Sequence, residues 1–139
     1  MNMGRTKFLY TCLFLAAAAG CAAGSEEPAI AEEVTPITDL KSGATCPSGS
    51  QLSYESFGRE FMQAFCIRCH TAAVSGAARQ APPDRNFDDL LSIRASAHVI
   101  DQQAVVGPVA SRDTMPPDDP KPTLQERQQL GEWLACGAP

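Results

Sequence analysis

The sequence predicts a small all-α domain behind an export signal and a flexible linker. Apolar residues recur at helical spacing in several segments, and no stretch of four or more residues alternates as a half-buried strand does. The 139 residues leave room for one domain. We therefore divide the chain into a signal peptide over residues 1–20, a linker over 21–45 and a domain over 46–139.

The first 20 residues have the composition of a secretory signal peptide. Arg5 and Lys7 form a short positive region before the apolar run Phe8–Ala19, and small residues follow that run. The run is shorter than the roughly 20 apolar residues that a membrane span needs. We therefore predict export and exclude this segment from the fold.

The residues Ala18-Ala19-Gly20-Cys21 resemble the lipobox of bacterial lipoproteins. The resemblance implies cleavage before Cys21 and attachment of a diacylglycerol to its sulfur, which would anchor the protein to a membrane facing the periplasm. Ordinary signal cleavage near the same point is the alternative. Ala22 stands in place of the Asp associated with inner-membrane retention in some bacteria, which favours the outer membrane.

Residues 21–45 predict a flexible, acidic tether. The segment is rich in Ala, Glu, Pro, Thr and Ser, contains no aromatic residue and shows no sustained periodicity. Such a segment cannot bury enough apolar surface to order itself. The chain has a formal charge of −5, and removal of the two basic residues of the signal makes it more acidic. This balance argues against a nucleic-acid-binding protein, because phosphate contacts require clustered Lys and Arg.

The domain is predicted to begin and end with a helix. Three phenylalanines spaced four residues apart predict a first helix over Tyr54–Phe65. Thr123 and Glu126 form a capping-box pattern that opens the last helix. That helix carries Leu130, Trp133 and Leu134 and is expected to end near Gly137.

Two shorter helices are predicted between these. Asn86 is placed to cap one of them, with Asp89 at its third position and apolar residues up to Ile93. The other covers Ala97–Val106 and is stopped by Gly107-Pro108. The segments between the helices contain pairs of prolines and read as loops.

The residues Cys66-Ile67-Arg68-Cys69-His70 carry the most specific chemical signal. Cys-x-x-Cys-His is the attachment signature of c-type haem. Two thiols three residues apart reach the two vinyl groups of haem, and His70 then ligates the iron. A thioredoxin-like pair would normally follow a strand, and a zinc site would need a second pair of ligands; the sequence shows neither. We therefore predict one covalent haem c.

The second axial ligand is predicted to be Met115, with His98 as the alternative. Met115 lies in a proline-rich loop that frees its thioether from helix geometry. Met62 lies on the first helix four residues before the motif, which puts it on the wrong side of the ring. His98 suits a surface position on its helix better than a ligand position.

Over Tyr54–Cys136 the sequence resembles the class I c-type cytochromes. In that family the first helix ends at the haem motif, a methionine loop provides the second ligand, and the last helix crosses the first. The resemblance implies helices packed around one haem. It also implies that residues of the first helix pack against residues of the last, here Gly58, Phe61 and Met62 against Leu130 and Trp133. Met62 stands where the family usually has Phe.

Two cysteines remain near the ends of the domain, Cys46 before the first helix and Cys136 at the end of the last. If these helices cross near their termini, as the resemblance implies, the two cysteines can meet. We then expect a disulfide, which export permits. Two unpaired thiols are the alternative.

The resemblance implies electron transfer by a membrane-anchored cytochrome rather than catalysis. Protein ligands on both sides of the iron leave no open position for a substrate, and a methionine ligand raises the potential. The alternative is a haem-based enzyme or gas sensor in which Met115 is displaced. The loop around Met115 is acidic, with Asp113, Asp118 and Asp119, which suggests a redox partner with a basic docking patch. A merely solvated acidic face is the alternative there.

Overall fold

The computed structural model describes residues 34–139. Within this range four α-helices follow one another: α1 (Arg59–Phe65), α2 (Leu90–Ala95), α3 (Ala97–Ala104) and α4 (Leu124–Ala135). A π-helical turn over Tyr54–Gly58 leads into α1, and a 3₁₀ turn covers Gly76–Ala78. Within the described range there is no sheet, only one isolated bridge between Val106 and Ser111. At this level the predicted all-α class is confirmed. The predicted signal peptide and Cys21 lie outside the described residues.

The folded part begins earlier than the sequence predicts. Residues 34–45, which the sequence assigns to the linker, lie against the domain. The Ile37 amide donates to the Ala135 carbonyl at 2.8 Å, and Leu40 is buried. The Ser42 amide donates to the buried carboxylate of Asp101 at 3.0 Å. The composition of this segment does not reveal these partners, because all of them lie far away in the sequence.

The first helical segment spans the predicted residues but changes geometry within them. The Ser53 hydroxyl accepts from the Ser56 amide at 3.1 Å, and the Ser56 hydroxyl accepts in return from the Ser53 amide at 2.9 Å. The Gly58 amide reaches back to the Ser53 carbonyl at 3.0 Å, one residue further than in an α-helix. Regular α-helix therefore begins only at Arg59.

The cap predicted for α2 is wrong by three residues. Asp89, not Asn86, is the N-cap, and its carboxylate accepts from the Ser92 amide at 2.8 Å. The Asn86 side-chain oxygen instead accepts from Arg79. Helix α3 ends at Ala104, two residues before the predicted end, because Val105 is already extended. The last helix begins and ends as predicted, with the capping box at its start and Gly137 in the left-handed region (φ +84°) beyond its end.

The core brings the first helical segment against α4. Of the residues that the resemblance pairs, Phe61, Met62, Leu130 and Trp133 are all buried. A Cβ on Gly58 would overlap the Trp133 ring. Only glycine therefore allows the main chain to approach the indole this closely. Phe57 packs edge-on against the same indole, with ring centroids 6.1 Å apart.

Cys46 and Cys136 form the predicted disulfide, with Cα atoms 4.7 Å apart and a sequence separation of 90. The bridge joins the segment before the π-helical turn to the end of α4. By closing so long a loop it stabilises the fold by roughly 2–4 kcal/mol. Among residues 34–139, no helix has the length and apolar character to cross a membrane.

Candidate functional site

An apolar cavity of about 250 Å³ lies beside α1 and α3. Four predicted site residues, Cys66, Cys69, His70 and Met115, line it. Most of the other lining residues are apolar and come from separate parts of the chain: Phe61, Phe65, Pro82, Phe87, Val99, Ile100, Ala104, Pro116 and Pro122. The structure therefore brings the two cysteines, the histidine and the methionine to one cavity, although 45 residues separate His70 from Met115.

The Cys-x-x-Cys-His residues, predicted above to be the attachment motif, form a tight turn directly after α1. The amides of Cys69 and His70 both donate to the Cys66 carbonyl, at 3.2 and 2.9 Å. Cys66 and Cys69 are free thiols. Two thiols and an imidazole thus follow one another on one turn, each in the cavity wall.

Burial raises the pKa of the Cys66 thiol to about 12, against the opposing charges of Arg68 and Arg127. At neutral pH this sulfur is therefore protonated. Cysteines that exchange disulfides or bind metal need a lowered pKa. The environment of Cys66 does the opposite, which does not suit a thioredoxin-like pair.

His70 is held on two sides. Its Nδ1 atom lies 3.0 Å from the Arg85 carbonyl, which fixes Nδ1 as the protonated nitrogen and leaves Nε2 as the free lone pair. Its ring stacks on Phe87, with centroids 4.5 Å apart and planes 17° apart. Burial lowers the pKa of His70, and the positive charges of Arg79 and Arg85 act in the same direction. The structure thus favours a neutral imidazole, the form that binds metal.

Arg79 holds together the chain between His70 and Phe87. We call residues 66–87, which also include the Cys-x-x-Cys-His motif, the attachment segment. The Arg79 guanidinium donates to six oxygens, all within this segment. The acceptors are the carbonyls of Thr71, Val74, Ala81, Pro82 and Arg85 and the side-chain oxygen of Asn86. The Arg85 carbonyl thus receives hydrogen bonds from both Arg79 and His70.

Met115 lies in residues 112–122, which we call the methionine loop. Its side chain lines the cavity, yet the residue is 39 % exposed. Its amide donates to the Gln103 carbonyl at 3.0 Å, and the Thr114 hydroxyl donates to the same carbonyl at 2.9 Å. The C-terminal end of α3 therefore holds the loop beside the cavity.

Two arginines tie the methionine loop to other parts of the domain. Arg68, inside the attachment motif, donates to the carbonyls of Asp118 and Asp119. Arg127, in the first turn of α4, donates to the Met115 carbonyl at 2.9 Å. Neither arginine was singled out in the sequence.

His98, the alternative ligand, is not in the cavity wall. Its side chain is half exposed, and its Nε2 atom lies 3.6 Å from the Asp39 carboxylate. Nowhere in the described range do three or more His, Cys, Asp or Glu side chains gather as a metal cluster.

Sequence reasoning missed Arg79, Arg127 and the contact of Phe87 with His70. One signal for Arg127 was present. It precedes Leu130 by three residues and Leu134 by seven, so it lies on the apolar stripe of α4. Nothing in the local sequence pointed to Arg79, because its six acceptors are mostly main-chain carbonyls in an irregular loop.

No family model matches the chain, and no curated protein or solved structure is detectably similar to it.

Proposed function

We propose that this protein is an electron carrier of the monohaem c-type cytochrome kind, with its helices in a cytochrome c arrangement. One observation carries the proposal: Cys66, Cys69, His70 and Met115 line a single apolar cavity. The packing of Gly58 against Trp133 supports the crossing of first and last helices that this family has. Such a protein is a carrier and not an enzyme.

The residues of the cavity fit a covalent haem c. Cys66 and Cys69 are free to form thioethers, His70 presents a neutral imidazole, and Met115 offers a thioether as the second ligand. When bound, haem c would supply an iron that changes between its ferrous and ferric states. The apolar lining would exclude water from the faces of the ring.

The protein's own groups would set the properties of the site. The Arg85 carbonyl orients the His70 ring, and Phe87 limits its rotation by stacking. Met115 ligation would favour the reduced state, because thioether sulfur stabilises ferrous iron. Two protein ligands held in place also limit the reorganisation that accompanies electron transfer.

A haem-based enzyme or gas sensor is the second candidate. The 39 % exposure of Met115 favours it, since a partly exposed ligand on a loop is easier to displace than a buried one. The two functions differ in one spectroscopic property. A stable carrier shows the ferric absorption band that Met–iron ligation produces, and a site with Met115 displaced does not.

The location and partners that we propose follow from the sequence. The export signal and the lipobox-like residues before Cys21 suggest a lipid-anchored protein facing the periplasm, with the outer membrane favoured. Asp113, Asp118 and Asp119 are exposed in the methionine loop, so the proposed redox partner presents a basic patch there.

Acid–acetone extraction tests the haem assignment. The protein is produced in a host with c-type haem attachment machinery, and its colour is followed through the extraction. We expect the haem to stay with the protein, because thioether bonds survive this treatment. The variant Cys66→Ala/Cys69→Ala is the control and should release any haem that it binds. Release of haem from the wild-type protein would disprove covalent attachment.

A further inference from the structure

Arg127 is a buried charge beside the cavity. The residue is 4 % exposed, and its Nη1 atom donates to the carbonyls of Ala104 at 2.8 Å and Met115 at 2.9 Å. The Arg112 carbonyl lies at 3.4 Å from the same nitrogen. One guanidinium nitrogen therefore joins α4 to the end of α3 and to both the start and the centre of the methionine loop.

The charge of Arg127 has no acidic partner within the part of the chain that the structure describes. None of the ion pairs between described residues includes it. Removing an unpaired guanidinium from water is costly, and carbonyl hydrogen bonds offset only part of that cost. The charge lies close to the cavity, since two of the residues whose carbonyls it binds, Ala104 and Met115, line the cavity.

We propose that Arg127 is the positioning residue for Met115 and that its charge raises the reduction potential of the site. This inference rests on the proposed haem site. By fixing the Met115 carbonyl, Arg127 keeps that residue at the cavity although its side chain is partly exposed. Reduction adds a negative charge to the site, and a buried cation nearby stabilises that state because the surroundings screen it poorly.

A purely structural role for Arg127 makes different predictions. If the residue only contributed to folding, its loss would lower the stability of the domain and leave the ligand and the potential unchanged. Leu134→Ala is a matched control for such a role. Leu134 is fully buried on the same helix and is not in the cavity wall.

The test compares Arg127→Gln, Arg127→Lys and Leu134→Ala with the wild-type holoprotein. Three properties are measured: the affinity of the ferric form for imidazole, which displaces methionine; the midpoint potential; and amide hydrogen exchange over residues 112–117. Thermal unfolding is recorded for each variant. Arg127→Lys keeps the charge and loses the planar fork, so it separates the two parts of the proposal.

We expect imidazole to bind Arg127→Gln about tenfold more tightly than wild type, because charged hydrogen bonds are among the stronger ones in proteins. The potential of this variant should fall, and exchange over residues 112–117 should become faster. Arg127→Lys should share the tighter imidazole binding and faster exchange but keep a potential close to wild type. Leu134→Ala should lose stability with all three properties unchanged. If Arg127→Gln does not fold, the comparison of Arg127→Lys with Leu134→Ala decides the positioning role.

The proposal is overturned if the Arg127 variants lose stability as Leu134→Ala does while imidazole affinity and potential stay at wild-type values. Failure of the haem assignment has a different signature, namely a wild-type protein without covalent haem or without the Met–iron band. Hydrogen exchange still tests the positioning role of Arg127 in that case, because it does not depend on bound haem. Unchanged exchange over residues 112–117 in Arg127→Gln would refute the positioning role without reference to iron.

Discussion

The attachment segment and the methionine loop line the same cavity, but they are held there in different ways. The attachment segment is stabilised mainly from within. Arg79 binds six oxygens between residues 71 and 86, and the Phe87 amide donates to the His70 carbonyl at 2.8 Å. The methionine loop depends on groups from elsewhere, namely the Gln103 carbonyl and the side chains of Arg68 and Arg127.

This difference in how the two segments are held affects which side of the site can open. A segment that closes on itself can hold the His70 ring in place before the rest of the domain is complete. A loop held from three directions is in place only when α3, α4 and the attachment motif are all in place. We therefore expect the His70 side of the site to be rigid and the Met115 side to be the side that opens.

Replacing Met115 should change the properties of the proposed haem site most, because it removes the thioether with which the methionine loop would ligate the iron. We expect Met115→Ala to lose the ferric Met–iron absorption band and to show a lower reduction potential, since thioether sulfur favours the ferrous state. Absorption spectra and redox titration of the holoprotein measure both.

The matched control for Met115→Ala is His98→Ala. His98 is half exposed and outside the cavity wall, so its removal should change neither property. A spectrum altered by His98→Ala and insensitive to Met115→Ala would show that the second ligand is a histidine.

Replacing Arg79 should weaken the attachment segment and leave the methionine loop unaffected. We expect Arg79→Gln to lower the free energy of unfolding by about 2 kcal/mol, since hydrogen bonds from a charged donor are lost and carbonyls are left unpaired. Urea denaturation measures the change in stability. Amide exchange should increase over residues 71–86 and stay constant over 112–122.

Arg59→Gln is the control for the Arg79 variant. Arg59 forms an exposed pair with Glu55 one helical turn earlier, so its loss should cost about 0.5 kcal/mol or less. Equal losses of stability in the two variants, or faster exchange in the methionine loop of Arg79→Gln, would contradict a role for Arg79 that is confined to residues 71–86.

The same contrast explains what the sequence could predict. The Cys-x-x-Cys-His spacing, the capping box of α4 and the aromatic stripe before Cys66 are local patterns, and the structure shows the stripe on the first helical segment and the capping box at the start of α4. The α2 cap was misassigned because Asn86 and Asp89 are both good caps, and a hydrogen bond from Arg79 to Asn86 decides between them. The composition of residues 34–45 predicts a linker, because their partners, Ala135 and Asp101, are distant in sequence.

The proline-rich loop predicts Met115 as the second ligand, but the groups that hold this loop in place cannot be predicted from the sequence. Arg127 contacts carbonyls, and every residue of a chain has one, so the sequence carries no mark of which carbonyls are its acceptors. The same holds for Arg68 and the main chain of Asp118 and Asp119. Tertiary hydrogen bonds to the main chain are the part of this site that only the structure reveals.

The smallest predicted effect concerns the outer face of the methionine loop. Asp118 and Asp119 use their carbonyls to bind Arg68, and both residues are exposed. If the carboxylates steer docking, Asp118→Asn/Asp119→Asn should slow association with the redox partner a few-fold at low salt and flatten its salt dependence. Stopped-flow electron transfer at several ionic strengths measures this.

The control for docking removes two acidic charges elsewhere, with Asp39→Asn and Glu60→Gln. The association rate of this control variant should depend on salt more strongly than the association rate of Asp118→Asn/Asp119→Asn does. An electron-transfer rate that does not respond to ionic strength in the wild-type protein would argue against electrostatic docking. The absorption spectrum should be unchanged in both variants, because neither changes the cavity.

The disulfide between Cys46 and Cys136 also gives the domain a mechanical property. It closes a covalent loop that contains all four helices and the whole cavity wall. A pulling force applied between the segment before Cys46 and the residues after Cys136 is carried by the sulfur–sulfur bond, and the loop itself bears no tension. Traction on the N-terminal segment can peel away residues 34–45, but it cannot stretch the chain that holds the site.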